Sequence, residues 1–427
     1  MRVLIVNTCS TLNRGDAAIV LGQIYLLKRH FPEVRIALTS KTPGLDRAFY
    51  EPLGVKVLPT LVPALSVYRG AWNKLAGGLR DSLAWREKAR LLDEMRHSDA
   101  VLACGGGYFY SYRPLLPGTT FWQNVLHVRL AQRLKKPVLF FPQSFGPLAG
   151  SLARAGLRSC LAGAGVAKIL ARETISHQLL LEMLPGAGGS RVDVCPDMAL
   201  CLAGRHWAGT GDDGAGALPA PLLVVNLRPW AFPGAGDAAA RQARQEAYLA
   251  ALEAAARTFL KRHGGSVVVV PQALGPDPAE DDRGICRAFA RRLQTSAPGN
   301  TPVRYREPGT ASLDEFMTLV ARASLLVGTR LHSCLLALLA GTPVISVGYQ
   351  YKSQGTLDLL GLGHLNVAIG EVSAGWLADR MGEIADRRPA VCEEINQRVA
   401  AARQEIEEKV GLALRLLGDQ AGPEVQG

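Results

Sequence analysis

Arg330 and His332 stand two positions apart in Gly328-Thr329-Arg330-Leu331-His332-Ser333. The pair joins a permanent fork of N–H donors to a ring that titrates near neutrality. The apolar run before it and residues 331–340 after it read as strand, glycine turn and helix. Gly341 and Pro343 stop that helix, and residues 344–347 make the next strand. A helix start carries unpaired N–H groups and the positive end of the dipole, so it favours an anion. An arginine and a histidine at that point suggest a site that holds a small anion and moves a proton.

Other reactive residue types also fall just past strands. Arg228 follows Leu223-Val224-Val225-Asn226 and can fork onto a carboxylate or phosphate, or simply face solvent. Tyr349, Tyr351 and Lys352 follow the strand after the Arg330 helix, so Lys352 is a second phosphate candidate. Asn13-Arg14-Gly15-Asp16 precedes a helix, with Asp16 as the expected cap. Gly105-Gly106-Gly107 lets backbone N–H groups approach a ligand. Gln143 and Ser144 lie between a strand and a Gly-Pro turn, where ligand contacts and turn chemistry are both common. Arg172-Glu173 reads as readily as a structural ion pair. Asp277, Glu280, Asp281 and Asp282 fit no calcium loop and read as acids at a helix start.

These residues need a scaffold. Residues 3–6 form a continuous apolar run, the mark of a parallel strand covered on both faces. Strands at 34–38, 55–58, 99–103 and 137–141 alternate with helices at 17–30 and 122–134. After a Gly-, Ala-, Asp- and Pro-rich stretch, strands at 222–226, 266–270, 324–327 and 344–347 alternate with helices at 248–262, 312–321 and 331–340. The pattern predicts an α/β chain of two Rossmann-like domains with parallel sheets. Expected limits are 1–203 for the first domain, 204–221 for a linker, 222–390 for the second domain and 391–427 for a terminal helix and tail. Pro142-Gln143-Ser144-Phe145-Gly146-Pro147 is echoed by Pro271-Gln272-Ala273-Leu274-Gly275-Pro276. Ligands in such folds sit at the carboxyl ends of strands, here expected in the cleft between the domains.

Composition narrows the function. The 427 residues suit two domains, and 48% hydrophobic content suits packed cores. A formal charge of +11 fits anionic substrates or an anionic membrane face. Without a dense basic run interleaved with aromatics, nucleic acid is not an expected partner. Eight cysteines without a CxxC pair read as buried thiols in a reducing cytoplasm. No charge-free apolar stretch reaches spanning length. The amphipathic helix at 391–417 is expected to dock on the domains, with peripheral contact to anionic lipid as its other use.

Taken in order, the motifs resemble the polysaccharide pyruvyl transferase family. They are Asn13-x-Gly15-Asp16-x-Ala18-Ile19, Gly105-Gly106-Gly107, Gln143-Ser144-x-Gly146-Pro147, Arg172-Glu173-x-x-Ser176, Asp197-x-Ala199-Leu200, Gly328-x-Arg330-x-His332 and Gly341-x-Pro343-x-Ile345-x-x-x-Tyr349-x-x-Lys352. One departure is Pro142, where many members have glycine. The resemblance implies a GT-B-like fold and transfer of pyruvate from phosphoenolpyruvate to hydroxyls of a saccharide as a ketal, in cell-surface glycan biosynthesis. It implies His332 and Arg330 as catalytic residues, and Arg228, Lys352 and Gly328 on the donor. Acceptor contacts would come from Asn13, Gly15, Asp16, Gly105, Gly106, Gly107, Gln143, Ser144 and Arg172. The scheme calls for no metal or cofactor, only phosphoenolpyruvate as co-substrate and an acceptor that is lipid-linked or nucleotide-linked. It is expected in the cytoplasm or at the inner membrane face. Two alternatives remain open at this point: a GT-B glycosyltransferase using a nucleotide sugar, and a non-catalytic glycan-binding protein. Residues 341–352 contain no acid to hold a ribose, which counts against the first.

Overall fold

Val3 to Val6 are all buried, as a strand covered on both faces requires. In the computed structural model, which describes residues 1–61, 88–186, 191–205, 207, 218–306 and 313–420, they belong to β1 (Arg2–Val6) of an eight-stranded sheet. With β2 (Arg35–Ser40), β3 (Val55–Pro59), β4 (Ala100–Ala103), β5 (Gly106–Ser111), β6 (Val138–Leu148), β7 (Val166–Ala171) and β8 (Val192–Val194), the order is β3-β2-β1-β4-β6-β7-β8, and β5 pairs with β6. A second sheet holds β9 (Leu222–Asn226), β10 (Ser266–Val269), β11 (Val303–Tyr305), β12 (Leu325–Gly328), β13 (Val344–Gly348) and β14 (Asn366–Ala368), in the order β11-β10-β9-β12-β13-β14. Every pairing in both sheets is parallel.

The chain forms two compact units. One comprises the described residues within Met1–Thr11, Ile19–Cys201 and Glu405–Gly427; the other, those within Leu12–Ala18 and Leu202–Gln404. Each sheet reverses its strand order once, between β1 and β4 in the first and between β9 and β12 in the second. The carboxyl ends of such neighbours open a crevice where α/β proteins bind ligands. In the second sheet Gly328 pairs with Asn226, so Arg330 and Arg228 leave adjoining strand ends.

Several elements differ from expectation. The glycine-rich segment enters β5 at Gly106, a strand that was not among those expected. The helix expected at 248–262 starts at Ala238, capped by Asp237, whose side chain accepts from Ala240 N. Its first turns are exposed and Ala- and Arg-rich, so they carry no apolar stripe to read. The final helix runs Arg388–Gln420. Its apolar residues Ile395, Val399, Ile406, Val410, Leu414 and Leu417 are buried, so this face docks on protein. Most of the expected linker, at 206 and 208–217, lies outside the described residues, as does the tail from 421. Among the described residues no helix is long and apolar enough to cross a membrane.

Candidate active site

In the second unit the strand end at Asn226 organises the site. Its side-chain Oδ1 accepts from Arg330 N at 3.3 Å and from Ser333 Oγ at 2.6 Å, and its Nδ2 donates to Val270 O at 2.9 Å. One buried amide thus ties β9, β10 and the turn after β12 together. Gly328 is required for packing: a Cβ there would stand 2.9 Å from Cys334 Sγ and from Leu326 Cδ2. Arg330 occupies the N-cap position of the helix Leu331–Leu339.

The Arg330 guanidinium is not presented to solvent. It is 6% exposed. Nε donates to both Asp282 carboxylate oxygens at 3.1 Å, Nη2 to Asp282 Oδ1 at 2.7 Å and to Glu280 O at 2.8 Å, and Nη1 to Glu280 Oε2. Burial pulls its pKa down, but the carboxylates of Asp282 and Glu280 outweigh that and hold it above its ordinary value. Burial raises the Asp282 carboxyl even against Arg330. The acids expected only to favour a helix start therefore include two that position this arginine. Sequence could not tell them apart, because the residues that meet them are about 50 positions away.

A cationic edge surrounds Glu280. Arg228 Nη2 approaches Glu280 Oε1 at 3.5 Å. The Arg228 guanidinium lies 4.2 Å from the Tyr349 ring centroid and 5.5 Å from that of Trp230, and those two rings are 4.7 Å apart. Such stacking holds a guanidinium in place without using its N–H donors. Burial would raise the Glu280 carboxyl, but Arg330, Arg228 and Lys352 together bring it below its usual value. Burial would likewise raise the Tyr349 phenol; Lys352, Arg228 and Arg330 pull it down. Three cations therefore share two carboxylates, and Glu280 bridges two of the cations. Trp230 was not singled out in the sequence; its place two residues after Arg228 was the available signal.

His332 meets the other end of the unit's chain. A Cβ on Gly15 would lie 2.3 Å from His332 Cγ and 2.6 Å from Nδ1. Gly15 therefore makes room for the imidazole. Asn13, rather than Asp16, caps the helix Arg14–His30, accepting from Gly15 N at 3.1 Å. Arg14, 1% exposed, donates Nη1 to Pro271 O at 3.0 Å and Gln272 O at 3.1 Å. The segment Asn13–Asp16 is thus stitched to the carboxyl end of β10. It was expected on the acceptor, and the structure brings its Gly15 against His332, a residue expected on the donor.

The first unit keeps the remaining expected acceptor residues. Gly105 is a packing glycine: a Cβ there would be 2.8 Å from Pro142 O and 2.9 Å from Ile19 Cγ2. Gly106, with φ of 114°, and Gly107 open β5. Ser144 Oγ accepts from Arg172 Nε at 2.8 Å, and Arg172 Nη1 pairs with Asp197 at 2.7 Å, all three buried. Arg172 does form an ion pair, but with Asp197 and not with Glu173, which instead caps the helix Thr174–Met183 by accepting from Ser176 N at 2.9 Å. Gln143 differs: it is fully buried, and its amide lies by the Tyr108 hydroxyl without a well-aligned hydrogen bond. Gln272, its echo in the second unit, is likewise fully buried without a well-aligned hydrogen bond at its amide. Both Gly-Pro bonds of the echoed motifs are cis.

Beside β1 lies a histidine that sequence reading passed over. His127 is buried; its Nδ1 is 2.7 Å from Asn7 Oδ1 and its Nε2 accepts from Leu61 N at 3.3 Å. An acceptor on one nitrogen and a donor on the other call for neutral imidazole with the proton on Nδ1. Burial lowers its pKa to about 4. All eight cysteines are free thiols, six of them buried. Among the described residues no cluster of His, Cys, Asp or Glu could hold a metal ion.

Against known proteins, the model of the family described as polysaccharide pyruvyl transferase matches residues 13–351. The amylovoran biosynthesis protein AmsJ of Erwinia amylovora is 26% identical over 437 residues, covering 94% of this chain and 95% of that protein. Among solved structures, the HepE protein of Anabaena in complex with UDP and glucose aligns with a TM-score of 0.58 at 14% identity, over 97% of this chain and 99% of that one. The UDP-GlcNAc 2-epimerase of Neisseria meningitidis bound to UDP-GlcNAc aligns with a TM-score of 0.59 at 14% identity, over 97% and 100%. At such identities these structures speak for a GT-B-like fold and for nothing more.

Proposed function

The chain belongs to the polysaccharide pyruvyl transferase family, and from that membership we propose that it moves a pyruvyl group from phosphoenolpyruvate to two hydroxyls of a saccharide, forming a ketal, during polysaccharide biosynthesis. The observation that carries this reading is the bridge made by Glu280. Its carboxylate lies between Arg330 and Arg228, with Lys352 contributing to the same field. A carboxylate already occupies the place that a small, multiply charged anion would take.

In this scheme the donor displaces Glu280 from Arg228 and gathers Lys352. Arg228 forks onto the donor carboxylate or phosphate, held by Tyr349 and Trp230. Arg330, fixed to Asp282, sets the potential of the pocket and the start of the histidine helix. The donor methylene carbon takes up a proton and becomes a methyl group. A sugar oxygen then bonds to the neighbouring carbon and gives up its own proton. Phosphate departs with the electrons of its C–O bond, and the second hydroxyl closes the ketal, losing its proton too. Cations stabilise the departing phosphate. His332 acts as the acid at carbon or as a hydrogen-bond donor to that phosphate.

Incubation with phosphoenolpyruvate and saccharide acceptors tests the reading. Phosphate release with a pyruvylated product supports it. Nucleotide release from a nucleotide sugar would instead indicate glycosyl transfer, and no turnover with any donor would leave a binding protein.

A further inference from the structure

Between Asp99 and Glu173 the chain has nine Lys and Arg residues and no acid at all. In a protein with 37 acidic residues, such a stretch concentrates positive charge on one part of the first unit. Arg113, Arg129, Arg133, Lys135, Arg154 and Arg158 from this stretch are exposed.

The same stretch holds the most exposed large apolar side chains among the described residues. Leu115 is 81% exposed, Leu116 67% and Tyr112 52%. They occupy the short loop that leaves β5 for the helix Thr119–Arg133. Pro114 and Pro117 bracket the two leucines, which restricts the backbone that presents them. The loop is anchored at its base. Ala149 N donates to Ser111 O at 2.9 Å, and Gly150 sits so close to Pro114 that a Cβ would be 2.0 Å from its carbonyl oxygen. The helix Ser151–Leu161 therefore begins beside the loop, adding exposed Leu152 and Arg154. The Tyr110 and Tyr112 rings pack 5.6 Å apart at the loop's other flank.

Two adjacent leucines held out in water, tyrosines beside them and exposed arginines on an acid-free stretch of chain make one chemical pattern. Tyrosine prefers the level of lipid headgroups, leucine the acyl boundary below it, and arginine the anionic phosphates. A second copy of this chain would bring like charge against like charge. We infer that this loop docks the first unit on an anionic lipid bilayer, with Leu115 and Leu116 inserted and Arg113 and Arg154 at the phosphate level. The terminal helix cannot serve with its apolar face, which is buried against protein. The inference stands independently of the reaction proposed above.

The test is co-sedimentation of the full chain with phosphatidylcholine vesicles, with and without phosphatidylglycerol. Binding is expected only to the anionic vesicles, and it should weaken in high salt. Leu115→Ser/Leu116→Ser and Arg113→Glu/Arg154→Glu should each weaken it by about tenfold or more, with the circular dichroism melting curve unchanged. Analytical ultracentrifugation of the same proteins supplies the counter-measurement. Absence of wild-type binding, equal binding to neutral vesicles, full binding by both variants, or a dimer that the leucine variant dissolves would each overturn the inference.

Discussion

The imidazole of His332 rests against the backbone of Gly15, residues more than three hundred positions apart in one compact unit. The contact leaves no volume for even a methyl group. Gly15→Ala should therefore turn the His332 ring away from its present position. We expect a loss of kcat of about a hundredfold, the scale of a misplaced catalytic group, with a small change in melting temperature. His332→Ala should lose activity at least as far and fold normally. If Gly15→Ala retained full kcat, the ring's position would be irrelevant to turnover.

Asp282 is the buried counterion of Arg330. Asp282→Asn removes the charge while keeping the shape, leaving a guanidinium enclosed with half its pairing. Breaking a buried pair in this way costs about 3–5 kcal/mol. Urea unfolding should show a lowered midpoint of that order, well beyond any shift from the exposed pair Arg262 and Asp386.

Arg228 combines stacking and forking, and lysine reproduces only its charge. Arg228→Lys should raise the KM for phosphoenolpyruvate by about tenfold or more, in line with the loss of one charge-assisted bidentate contact. Trp230→Ala should move KM in the same direction but less, because Tyr349 remains at 4.2 Å. An unchanged KM in Arg228→Lys would remove this residue from the donor site.

His127 predicts a pH dependence of stability. Its ordinary pKa of 6.5 falls to about 4 in the folded protein because of burial. The folded state thus resists protonation that the unfolded chain accepts. Stability is complete above pH 6.5 and declines as pH falls towards 4, by about 3 kcal/mol in all. His127→Gln, neutral throughout, should flatten that part of the stability profile. An identical slope in the variant would show that other groups govern it.

Much of this architecture was legible along the chain. Continuous apolar runs such as Val3–Val6 declare parallel strands, because both faces must be covered. The residues just past Asn226 and Gly328 then follow from the rule that strand carboxyl ends carry ligands. The echo between the motifs of Gln143 and Gln272 also has a structural counterpart. What was not legible depends on contacts between distant residues. Nothing near Asp282 shows that it faces Arg330, and nothing near Gly15 shows that its missing side chain is filled by an imidazole. Gly105 and Gly328 read as ligand cradles, and no local pattern shows that neighbouring atoms also fill the place of a side chain at both. The surface leucines at 115 and 116 have no periodicity to betray them.

On the proposed reading, Glu280 is the donor site's own built-in anion. Any incoming anion competes with a tethered rival that is always present at high local concentration. A weak monoanion such as acetate or chloride would offer too little to replace it, whereas a molecule carrying both phosphate and carboxylate would replace it and still engage Lys352. Selectivity for doubly acidic donors would then arise from displacement, without any added steric filter, and the site would stay electrically quiet until the right molecule arrived.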